Sequence, residues 1–202
     1  MASPLTVVRN DYHSNPKPST VRTPIGVAQF LFDILNRDKY HNIFDPAIGN
    51  GRLTDPWAKA GCRIAGCDIK PQLKQDQYNV VYRGRFEDAT VGMFHIPDLV
   101  LCNPPFNGAE GKQLYPEVFL KHIFDLWGQR IPTVMFMPMG FRLNQRCKSK
   151  RWRWLRDSKA KIKSIVSLPL DVFPGVEFHA EILIFNATRI RPHYFLPEEA
   201  LR

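Results

Sequence analysis

The segment Asp98–Gly108, DLVLCNPPFNG, runs from an apolar strand into an abrupt polar break. Pro104 carries no backbone donor and restricts Asn103 to extended geometry, and Pro105 restricts Pro104 in the same way. The result is a stiff, unpaired stretch that presents carbonyl oxygens and one carboxamide, with the Phe106 ring beside them. Its chemistry is that of pre-ordered hydrogen-bond acceptors. Over four residues an ordinary proline-rich turn after a strand reads the same way.

A second stretch, FDPAIGNG, follows an earlier short strand. Asp45 ends that strand, and Gly49 and Gly51 form a tight turn ahead of a helix. Glycines at such a place let the backbone approach a ligand closely. Asp68 ends the next strand, 23 residues after Asp45. An acid there can accept hydrogen bonds from both hydroxyls of a ribose. A dinucleotide fingerprint requires a third small residue three positions after the second glycine, where this chain has Thr54. The carboxylate of Asp45 would also repel a pyrophosphate. A ligand with an amine, a ribose and an adenine but no phosphate fits better, and S-adenosylmethionine has that make-up.

The elements that must position these residues alternate. Helical spacing of Val27, Phe30, Leu31, Ile34 and Leu35 predicts a helix over 23–35, with Thr23 as its cap and Pro24 in its first turn. Strands are predicted at 42–45, 62–68, 78–84, 98–102, 132–138, 161–169 and 180–186. Helices are predicted at 52–60, where Pro56 forces a late start or a kink, and at 116–128 and 148–158. Strand–helix alternation implies an α/β domain: a Rossmann-like, seven-stranded, mostly parallel sheet with helices on both faces. The last two strands lack a helix between them, so the terminal strand is expected to be antiparallel. Residues 1–20 read as a flexible arm and 21–202 as a single domain.

The 202 residues suffice for one sizeable core, and 44% apolar content excludes a disordered chain. No apolar run approaches a membrane span, and the N-terminus lacks the apolar centre of a signal peptide. The four cysteines show no zinc-like pairing, and His residues show no ligand spacing, so no metal is expected. A reducing cytoplasm is the simplest compartment. The net charge is +9, and Arg142–Lys163 holds ten basic residues against one acid. Such a segment implies a polyanionic partner, most simply nucleic acid, or else a solvated basic face. Lys148, Lys150, Arg151, Arg153 and Arg156 interleave there with Trp152 and Trp154, a pattern suited to phosphate contact and base stacking, or to a helix with one Trp packed inward.

In their order and placement, DPAIGNG, GCDIK, FED and NPPF resemble the S-adenosylmethionine-dependent amino-methyltransferases, which act on an exocyclic or amide nitrogen. TPIGVAQFLFDIL, ahead of the glycine loop, is similar to the corresponding helix of the gamma-ordered adenine-N6 DNA methyltransferases, a class that includes restriction-modification subunits. The resemblance covers roughly residues 20 to 187. It implies that Asp45, Pro46, Ala47 and the backbone at Gly49 and Gly51 hold the methionine end of the cofactor, with Thr23 and Pro24 closing over it. Asp68 would take the ribose, Ile69 would pack on the adenine, and Asp88 or Glu87 would reach its amino group beside Phe86. Asn103, also near the cofactor, and Pro104 would each accept one N–H of the target amine. Phe106 would stack on an extruded base, and Pro105 would stiffen the clamp. An exocyclic amine is a poor nucleophile because its lone pair is delocalised, so catalysis would rest on positioning and on dipoles aimed at developing positive charge.

The chain also departs from that class. Only 16 residues follow the last predicted strand, too few for a separate target-recognition region. Recognition would then fall to loops such as 107–116 and the basic helix, to a specificity subunit or a second copy, or the substrate would not be duplex DNA. Adenine N6 in DNA is the leading substrate. Related clamps methylate RNA bases or protein glutamine, and a catalytically silent cofactor- or DNA-binding subunit is a third reading. A bacterial, plasmid or phage origin follows from the resemblance.

Overall fold

A computed structural model describes residues 22–35, 40–73, 78–106, 114–143, 145–173 and 178–201. Its strands are β1 (Asn42–Asp45), β2 (Arg63–Asp68), β3 (Val80–Arg83), β4 (Leu99–Cys102), β5 (Thr133–Pro138), β6 (Ile162–Ser167), β7 (Ala180–Phe185) and β8 (His193–Phe195). Helices α1 (Ile25–Leu35), α2 (Asp55–Lys59), α3 (Tyr115–Trp127) and α4 (Lys150–Asp157) lie between them. One sheet takes all eight strands in the order β3-β2-β1-β4-β5-β7-β6-β8. β7 runs antiparallel to both β5 and β6, and every other pairing is parallel.

The central strands β4, β5 and β7 are buried at every position. This is why they read as continuous apolar runs rather than alternating ones. Two cores result. On one face α1 and α2 bury Val27, Leu31, Leu35 and Trp57 against Ile43, Leu99, Leu101 and Phe136. On the other, α3 buries Phe119, Leu120, Ile123 and Phe124 against Phe44, Val100, Met135 and Leu183, with Trp154 and Leu155 of α4 packed alongside. Burying each such side chain contributes about 1.5–3 kcal/mol relative to exposure.

The α/β class, the largely parallel sheet, the antiparallel β7 and the helices on both faces agree with the sequence reading. The strand count does not: β8 adds an eighth strand outside β6. The helix at Pro56 starts late, with that proline in its first turn. The arm over 1–20 lies outside the described residues.

Strand order reverses between β1 and β4. At such a switch point the connections leave in opposite directions, and a crevice opens beyond the carboxyl ends of the strands. Asp45 and Asn103 stand at those two ends.

Candidate active site

The loop after β1 is set by its glycines and closed by its own backbone. Gly49 and Gly51 both have positive φ, +52° and +79°, a conformation that costs side-chain-bearing residues energy. A Cβ on Gly51 would collide with the Tyr78 hydroxyl, and one on Gly66 of β2 would press on Ile48 and the Asp45 carbonyl. The turn closes through Gly51 N–H to the Ile48 carbonyl at 2.7 Å. Ile48 N–H donates to the Cys67 carbonyl at 3.0 Å, and Gln72 N–H donates to the Gly49 carbonyl at 2.8 Å. The loop is thereby stitched to β2 and to the segment that follows it.

Asp45 is 1% exposed, and its Oδ1 accepts the Ala47 N–H at 2.9 Å. Burial pushes its carboxyl up to about 8; the Ala47 N–H opposes the rise and the nearby Asp68 charge adds to it. A buried acid with one backbone donor and no cation beside it in the described structure is a place where a ligand cation gains much. Burial, and then Asp45 itself, raise the Cys102 thiol at the end of β4 as well. The acid and the β4 terminus therefore share one electrostatic environment.

Asp68 is half-buried, and both its oxygens are engaged. Oδ2 accepts the Gly49 N–H at 2.9 Å and Oδ1 accepts the Lys70 N–H at 2.7 Å. A carboxylate has about four acceptor positions, so each oxygen keeps room for one more donor. Ile69 beside it is 58% exposed, an uncovered apolar side chain at the rim. After β3, Glu87 is half-buried and paired with Arg85 at 3.1 Å, and Asp88 is exposed on the same turn.

Asn103, Pro104, Pro105 and Phe106 follow β4, with Pro104 and Phe106 buried and Asn103 and Pro105 half-buried. The Asn103 Nδ2 donates to the Thr23 Oγ1 at 3.0 Å. Thr23 is 5% exposed, and Pro24 beside it is half-buried. Sequence reasoning made Thr23 a helix cap; its hydroxyl is turned instead to the residue after β4.

Three further placements differ from the sequence reading. Phe86, expected beside the cofactor's adenine, is a core side chain, 2% exposed, with its ring against Phe119 at 5.2 Å and His122 at 4.8 Å. Phe106 does not offer a bare face: its ring is 7% exposed and meets the edge of Phe178 at 4.8 Å, with Phe178 stacked on Phe173 at 5.3 Å. Phe178, two residues before β7, thus covers the Phe106 ring, a role that no local sequence signal announced. Arg151 is not a free cation. Its Nε donates to the buried Glu117 at 2.7 Å, and its guanidinium lies 5.4 Å over the Phe141 ring. Lys121 holds the same Glu117 at 2.7 Å. Of the remaining basic residues, Arg156 pairs with Asp157 at 2.6 and 2.8 Å. Lys148, Lys150 and Arg153 are exposed. Trp154 packs toward Phe124, with ring centroids 6.2 Å apart, and Trp152 is 37% exposed. Most of the loop at 107–116 lies outside the described residues.

No protein-family model matches this sequence, and no curated protein matches it. Solved structures match in shape, and the fold they share with the chain is the Rossmann-like methyltransferase fold. The chain is similar to the methyltransferase subunit of a type I restriction-modification system from Streptococcus thermophilus, at 17% identity over 89% of this chain and 47% of that one, TM-score 0.63. It is similar to the M protein of the type I restriction enzyme EcoKI, at 14% identity over 88% and 44% of the two chains, TM-score 0.61. It also matches magnesium protoporphyrin IX methyltransferase from Synechocystis PCC 6803, solved with S-adenosylmethionine bound, at 16% identity over 83% and 80%, TM-score 0.50. The chain spans about half the length of the restriction-modification subunits it matches. No helix among the described residues is long and apolar enough to cross a membrane.

Proposed function

We propose that this chain is an S-adenosylmethionine-dependent methyltransferase that modifies an exocyclic amino group of a nucleic-acid base, adenine N6 in DNA. The observation that carries the reading is the meeting of three features at one switch point. They are a buried acid with no cation beside it among the described residues, a loop bent by two positive-φ glycines, and a proline-stiffened carboxamide with one N–H already occupied.

The residues fit this cofactor. Asp45 would hold the amine of its methionine end, and the Gly49–Gly51 backbone would approach that end closely. Asp68 keeps acceptor capacity for the ribose hydroxyls, and Ile69 offers an apolar surface to the adenine. When bound, S-adenosylmethionine supplies the methyl: the amine lone pair forms the new N–C bond, the C–S electron pair stays on sulfur, and the surplus proton leaves to solvent.

The chain's own part is positioning. With its Nδ2 given to Thr23, Asn103 presents Oδ1 as an acceptor for one N–H of the target amine. The Pro104 carbonyl takes the other. Both dipoles point at nitrogen as it gains positive charge. Phe106 and Phe178 form an aromatic wall, against which an extruded base would stack once the two rings part.

Similarity to restriction-modification subunits supports DNA over RNA and protein, and supports assembly with a partner that reads the sequence. Lys148, Lys150 and Arg153 are exposed cations that would contact phosphates. The test is transfer of labelled methyl from S-adenosylmethionine to duplex DNA, single-stranded DNA, RNA and protein, with the labelled product identified. Label in N6-methyladenine of DNA is expected. Label confined to RNA or to glutamine would replace the substrate, and no label on any of the four would overturn the enzyme.

A further inference from the structure

Thr23 and Asn103 are 80 positions apart, yet their side chains are joined at 3.0 Å. The proposed chemistry requires the two ends of the Asn103 carboxamide to be told apart. Its oxygen end accepts, and its nitrogen end would set N–H against the N–H of an incoming amine. The two ends are alike in size, so packing alone discriminates poorly between them. A hydrogen-bond partner on one side can do so.

We propose that Thr23 is a positioning residue for methyl transfer: its hydroxyl engages the Asn103 Nδ2 and so holds Oδ1 toward the acceptor amine. This rests on the function proposed above, and it gives Thr23 a task other than closing over the cofactor.

The seat of Thr23 is rigid enough for the task. The residue is 5% exposed, so water competes weakly for its hydroxyl. Thr23 stands one residue, Pro24, ahead of α1, whose Val27, Ala28, Leu31 and Leu35 are all but fully buried. The other side of α1 is braced by the segment after β8. A Cβ on Gly26 would run into the Ala200 carbonyl, so backbone meets backbone there. Phe30 sets its edge on Tyr194 with centroids 5.8 Å apart. The residue that aims Asn103 is thus borne by a helix wedged between the sheet and the chain's last described turn, and not by a surface loop.

Thr23→Val keeps the branched shape and removes the hydroxyl, and Thr23→Ser keeps the hydroxyl. With Thr23→Val, kcat for the best nucleic-acid substrate is expected to fall by about 5- to 10-fold. S-adenosylmethionine affinity by calorimetry is expected to stay unchanged, and Thr23→Ser should recover most of the turnover. Wild-type kcat in Thr23→Val would overturn the proposal. Loss of cofactor affinity matching the loss of turnover would overturn it too, since Thr23 would then serve the cofactor. Equal damage in Thr23→Ser would assign the effect to methyl packing and overturn the hydroxyl's role.

A second measurement needs no activity. Hydrogen exchange of the Asn103 side-chain amide, followed by NMR in the ligand-free protein, should be slow in wild type and Thr23→Ser and fast in Thr23→Val. Exchange equally fast in all three would refute the contact. If the wild type methylates nothing, the enzyme reading fails by itself, and the exchange data still decide whether Thr23 holds the amide.

Discussion

Asp45 and Asp68 end neighbouring parallel strands, and the charge of Asp68 helps keep the buried Asp45 carboxyl protonated, second to burial among the influences that raise it. The two acids are therefore not equivalent. Asp68 is half-buried and tied to two backbone N–H groups, while Asp45, with its pKa pushed up to about 8, is fully buried with one backbone donor.

The first prediction concerns protons released on binding. At pH 7 Asp45 is largely protonated in the empty protein, and an ammonium beside it would favour the charged form. Binding of S-adenosylmethionine should release a proton from this site. Calorimetry in two buffers of different ionisation enthalpy measures that release, and Asp45→Asn should abolish it while weakening affinity.

Stability against pH follows from the same group, and its sign is the less familiar one for a carboxyl. The folded state binds the proton more tightly than the unfolded chain, whose aspartate has its ordinary value of 3.8. Asp45's contribution is therefore full below that value and is lost as pH rises through about 8. Urea unfolding of the ligand-free protein should show Asp45→Asn gaining on the wild type as pH is raised from about 5 to about 8, because the variant has no proton to lose there.

Asp68→Ala should do two things together. It removes the acceptor of the Gly49 and Lys70 N–H groups, so the empty protein should lose about 1–3 kcal/mol of stability. It should also weaken the cofactor. Denaturant titration and calorimetry on the same variant separate the two losses, and unchanged unfolding would mean that the loop does not depend on this acid.

The basic segment divides by side-chain placement. Reversing the charge of Lys148, Lys150 and Arg153, all exposed, should weaken DNA binding and flatten its dependence on salt. Arg151→Ala should instead destabilise the fold by about 1–3 kcal/mol, because it strips one partner from buried Glu117. An unaltered salt slope in the triple variant would leave the segment as a solvated face.

Phe106→Ala should also act first on stability, costing about 3–5 kcal/mol for a cavity beneath Phe178. Phe106→Leu keeps the site filled and removes the aromatic surface, so it is the variant that reports on base stacking through KM.

Seven strands and four helices were legible because each carries its own period or its own apolar run. β8 was not: His193-Tyr194-Phe195 is three residues long, lies between Pro192 and Pro197, and owes its conformation to pairing with β6. Strand ends also placed Asp45, Asp68 and Asn103 at one edge from sequence alone. The contact between Thr23 and Asn103 lay beyond reach, since it depends on how α1 packs across the sheet. The inward turn of Arg151 could have been read. It stands three and four positions before Trp154 and Leu155, on the face that packs against α3, while Arg153 falls on the other side. The burial of Phe106 could not, because its cover, Phe178, stands some seventy residues further on.

The central claim is that Asn103 supplies the acceptor that orients the target amine. The direct measurement is methyl transfer by Asn103→Ala and wild type, side by side on the best DNA substrate, with S-adenosylmethionine affinity measured on both. The account predicts N6-methyladenine with the wild type, none with Asn103→Ala, and cofactor binding retained in the variant. Methylation by Asn103→Ala at the wild-type rate would contradict it.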